Sequence, residues 1–84
     1  MNITRKSNIL LCNIIYLNTI IFPESKFSES LYNLLGNYSS EESIDTLKKL
    51  LPNILNLLKI KSDNIFVNSL QKFIQEELAK LELI

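Results

Sequence analysis

EESIDTLKKLLPNILNLLKIK, residues 41–61, decides the fold class of this 84-residue chain. Ile44, Leu47, Leu51, Ile54 and Leu58 recur at steps of three, four, three and four, which stacks them along one seam of a helix. Leu50, Leu55 and Leu57 flank that seam and widen it into a face too apolar to leave in water. The stretch therefore reads as a helical spine against which the rest of the chain packs. Glu41, Glu42 and Asp45 crowd its first turn, where the positive end of the helix dipole favours them. Ser39, with Glu42 three residues on, fits a capping box at its start. Pro52 is the discordant residue, because an interior proline loses a backbone hydrogen bond and clashes with the Lys48 carbonyl. The helix is expected to kink there or to break and restart. The apolar spacing keeps its phase across Pro52, which favours the kink.

Upstream, ILLCNIIYLNTIIF at 9–22 is the most apolar segment of the chain. Its polar members Asn13, Asn18 and Thr19 do not alternate with apolar ones, and fourteen residues is long for a strand, so a helix is expected. Ser7 or Asn8 would cap it, leaving residues 1–8 frayed, and Pro23 would end it. A shorter helix follows at 29–35, stopped by Gly36 and Asn37. The last helix is expected over 64–83, capped by Ser62 or Asp63. Its inner face reads Val67, Leu70, Ile74, Leu78 and Leu81, widened by Phe66 and Phe73, with Lys72, Glu76 and Lys80 outside. The expectation is a single all-α domain over 1–84, a small antiparallel bundle of about four helices. A chain this short buries only roughly 60–65% of the surface its unfolded form exposes, so its core is thin.

Composition argues several functions down. The 46% apolar content is enough to fold a globular domain. Asn, Ile, Leu and Lys dominate while Ala79 and Gly36 are the only residues of their types, a pattern of codons rich in A and T rather than of mechanism. Nine basic residues balance nine acidic ones, so the excess of positive charge that neutralises phosphates is missing, and nucleic acid is an unfavoured partner. There is no histidine, which removes the usual general base and nitrogen ligand, and a single glycine cannot make a phosphate loop. Glu41 with Asp45, and Glu76 with Glu77, are explained by capping and by a solvated helix face. No catalytic, metal or cofactor residues are therefore assigned. Cys12, the only cysteine, sits among Leu10, Leu11, Ile14 and Ile15 and reads as a small buried hydrophobe.

What remains is apolar excess. So much leucine and isoleucine in a small chain leaves surface for a partner to cover. The expectation is a non-catalytic protein–protein interaction or regulatory module, self-associating or binding another protein, in an intracellular setting. Its contacts are placed on Leu50, Leu57, Phe66 and Phe73, in a groove between the spine and the last helix. The alternative is a peripheral membrane protein that docks through 9–22, with Arg5 and Lys6 on anionic headgroups. Against a cleaved leader, Phe22-Pro23-Glu24 offers no small-residue cleavage site, and the apolar run is too short to span a bilayer.

Overall fold

The computed structural model describes the backbone of residues 3–24 and 40–84 and the side chains of 7–24 and 44–84. Within them the chain is all-α: α1 (Ile3–Ile21), α2 (Ser40–Lys59) and α3 (Ile65–Lys80), with no strand among the described residues. The helix expected at 29–35 and the Ser39 capping box fall outside the described residues.

α1 begins well before Ile9, so residues 3–8 are helical rather than frayed, and Ser7 and Asn8 lie inside the helix rather than capping it. The reason is packing. Leu10, Leu11, Ile14 and Leu17 form a fully buried face, and that face continues outward to Ser7 at one end and Asn18 at the other. Burial of Ser7 requires the turn that carries it to be ordered. Neither it nor Asn18 is stranded, since no buried side-chain polar atom among the described residues lacks a partner. On the outer side Asn13 Nδ2 donates to the Ile9 carbonyl at 2.8 Å, and Thr19 Oγ1 donates to that of Ile15 at 2.8 Å. Both polar groups are thus satisfied by their own helix. Cys12 shares this outer side and is exposed, not buried as its apolar neighbours suggested. The helix stops before Pro23, as expected.

α2 runs through Pro52 as one element, so the chain does not break there. Pro52 and Lys48 are both exposed, which leaves the carbonyl without its usual donor open to water. The inward residues are Leu47, Ile54 and Leu57, with Leu50, Leu51 and Leu58 half-buried against the same core. The buried face therefore keeps the seam read from the spacing, with Leu47 and Ile54 at its centre, and widens on one side to take in Leu57. A larger correction concerns the centre of the molecule. α1 packs against both α2 and α3, while the direct α2–α3 contact is the smallest of the three. Among the described residues the core is built around α1, and 41–61 covers it rather than forming its centre.

α3 is capped by Asn64, whose Oδ1 accepts from the backbone N–H groups of Phe66 at 2.8 Å and Val67 at 3.4 Å. Ser62, expected to cap, instead accepts from the Asn64 N–H at 3.1 Å and so steadies the residue that caps. Val67, Leu70, Ile74 and Leu78 are buried, as the spacing predicts. On the outside Lys80 pairs with Glu77 at 3.1 Å. The helix ends at Lys80 rather than Leu83. Glu82 turns left-handed with φ 59°, its N–H bonds the Ala79 carbonyl, and the Leu83 N–H bonds that of Leu78. This pair of bonds is a Schellman motif, and it folds Leu83 back onto the core.

The C-terminal turns of α1 and α2 and the start of α3 gather at one end. Phe22 and Asn18 line a cleft with Leu57 and Ile60, and Tyr16 meets Phe66. From there α3 runs back against α2 after a short link. Gln71 closes the link: its Nε2 donates to the carbonyls of Leu57 at 2.9 Å and Ile60 at 2.8 Å. The Leu57 carbonyl also accepts from the Ile60 N–H at 3.4 Å, so Gln71 reinforces the end of α2, where intrahelical donors run out.

Two stability outcomes follow. Gln71→Leu removes both donors and is expected to cost about 2 kcal/mol in urea denaturation. Gln71→Glu is expected to cost at least as much at neutral pH, because a carboxylate offers those carbonyls no donor. An unchanged midpoint for both would remove the bridge from the account. Glu82→Gly should raise stability by about 1 kcal/mol, since glycine adopts the left-handed conformation without a side-chain clash; a loss of stability would contradict the observed cap.

Candidate interaction surface

The outward side of α1 is unusual for a helix that meets water, because the sequence from Ser7 to Pro23 contains no charged residue. Ile9 and Tyr16, seven residues apart and hence on one side of the helix, are both exposed. With Asn13 and Thr19 bonded back onto the backbone, that side offers few free polar groups.

α3 contributes the adjoining half. Phe66 and Phe73 are also seven residues apart, which puts them on one stripe at the edge of the buried face. Phe66 is 53% exposed, Phe73 39% and Tyr16 54%. The rings of Tyr16 and Phe66 meet edge to face, with centroids 5.8 Å apart and planes at 82°. Such a contact holds both rings in place while leaving about half of each in solvent. Ile65, at the first position of α3, is the most exposed large apolar residue among those described and lies beside the stripe at its loop end. Beyond Phe73, on the outer side of α3, lie exposed Lys72 and Glu76.

The four residues singled out from sequence do not come together. Phe66 and Phe73 are on the surface, Leu50 is half-buried against the core, and Leu57 is 4% exposed and belongs to the core. Between the end of the spine and the last helix, Gln71 bridges to the carbonyls of Leu57 and Ile60, beside an open cleft lined by Leu58, Ile60, Asn68 and Gln71 rather than by the four expected residues. The apolar strip lies instead at the junction of α1 and α3. Tyr16 and Ile9 are not among the contacts expected from sequence, although the seven-residue step between two large apolar residues, in a stretch free of charge from Ser7 to Pro23, is a readable signal.

A second feature is an open cleft of about 300 Å³ where α1 and α2 end, lined by Asn18, Phe22, Asn53, Asn56, Leu57 and Ile60. Among the described residues its lining combines three side-chain amides with three apolar residues and no charged group. Among the described residues no cluster of three or more His, Cys, Asp or Glu is placed to hold a metal ion, and no helix is long and apolar enough to cross a membrane. Of the paired carboxylates, Glu77 is engaged by Lys80 and Glu76 points outward. Compared with protein-family models, curated proteins and solved structures, the chain matches none of them.

Proposed function

We propose that the chain is a non-catalytic protein-interaction module whose contact surface is the strip of Tyr16, Phe66 and Phe73, extended by Ile9 and Ile65. The observation that carries this reading is the pair of half-exposed rings of Tyr16 and Phe66, fixed against each other on the rim of an otherwise closed core. Aromatic side chains that are held rigid yet stay wet lose little conformational entropy on binding and bring a large apolar area, which is why they anchor protein interfaces. The charge-free stretch of α1 from Ser7 onward supports the same reading, since charge is depleted at the centre of interfaces.

The bilayer-docking alternative draws no support from this arrangement. The side chains that would have to insert, Leu10, Leu11, Ile14 and Leu17, are fully buried against α2 and α3. What α1 shows to the outside is narrow and bounded by α3.

Two outcomes test the reading. Phe66→Asp with Phe73→Asp should leave a folded helical chain by circular dichroism, whereas Leu57→Asp should unfold it, because an unpaired carboxylate would be buried at a position closed to water. A photo-crosslinking amino acid replacing Phe73, in the full chain in its native cells, should capture protein, while the same group replacing exposed Lys49 should not. Equal capture from both positions, or none from either, would remove the assignment of this surface.

A further inference from the structure

We infer that the partner this strip fits is a second copy of the same chain, paired through α3 in antiparallel fashion; the inference rests on the interaction reading above and names its occupant. The argument is one of charge and size. The strip is flanked on α3 by Lys72 and Glu76, one turn apart, both exposed and neither in an ion pair among the described residues. One positive and one negative group side by side fit poorly to a partner of either uniform sign. They do fit their own image. A two-fold axis crossing α3 at the level of Phe73 stacks that ring on its copy and brings Lys72 of each chain within reach of Glu76 of the other. The same operation sets each Phe66 over the aliphatic stem of the other Lys80, whose ammonium is already held by Glu77 at 3.1 Å.

Size agrees with a modest dimer. Aromatic side chains carry roughly 150–250 Å² each, so three that are about half exposed leave on the order of 300 Å² of ring surface. That is enough for the centre of an interface of about 800 Å² per partner, but only if the charged rim is enclosed with it. The dimer is therefore concentration-dependent and sensitive to the rim charges.

Sedimentation velocity on the full chain, with reductant present to keep exposed Cys12 from cross-linking, tests this from micromolar to millimolar concentration. The expected result is a monomer–dimer equilibrium. Lys72→Glu and Glu76→Lys each place like charges opposite one another twice per dimer and should weaken it about tenfold. The double variant Lys72→Glu with Glu76→Lys should restore the wild-type constant. A wild-type chain that stays monomeric overturns the inference, and site-specific capture of another protein from position 73 would then leave the interaction reading standing. A dimer indifferent to both single changes also overturns it; if Phe73→Asp spares that dimer too, its contact lies on another face.

Discussion

The structure depends on covering one side of a helix that carries no charge beyond its first turn. α1 has no charged residue from Ser7 to Pro23, and its inner side carries Leu10, Leu11, Ile14 and Leu17, all fully buried. Removing each such side chain from water is worth about 1.5–3 kcal/mol, a large share of what a domain of this size can muster. Neither α2 nor α3 alone closes that side. Each lays its own apolar face on α1, and their meeting with each other is the lesser contact. Where the hydrophobic seam between α2 and α3 is thin, a polar group takes over: Gln71 bridges two carbonyls at the end of α2.

Amides do much of the structural work. Asn13 satisfies a carbonyl of its own helix, Asn64 caps α3, and Gln71 joins two helices. A chain with one glycine has few residues suited to the left-handed turn that commonly ends a helix. It uses side-chain amides and, at Glu82, a left-handed residue with a side chain. The same economy shapes the surface. Because Asn13 and Thr19 turn their polar atoms inward to the backbone, the outer side of α1 remains apolar enough to be read, with Tyr16, Phe66 and Phe73, as a contact surface.

The legible parts were those where hydrophobicity has contrast. α3 alternates apolar and charged residues with helical period, and its inner face, from Val67 to Leu78, is buried as the spacing predicts. α2 has less contrast: Leu47 and Ile54 of its seam are buried as the spacing predicts, but Leu57, read as a flank, is buried with them, since leucine occupies both sides of the seam. α1 has almost none. With isoleucine or leucine on most of its circumference, nothing in the order of residues says which side meets the core, and Cys12 was accordingly placed on the wrong one. The end of α3 was misread for a related reason: a left-handed cap is normally announced by glycine, and here the position is Glu82.

Sequence alone determined that this chain is helical, where its elements lie to within a turn for α2 and α3, and which face of α3 turns inward. These are consequences of local periodicity, which each segment carries by itself. Which helix sits at the centre, which leucine is core and which phenylalanine is surface were decided only by tertiary packing. Phe66 and Phe73 are as apolar as Leu57; they stay in solvent because α1 is too narrow to cover the whole of α3, and Leu57 is buried because α2 turns it towards the shared core. Burial is a property of what stands opposite a residue, and that is not written in its neighbours along the chain.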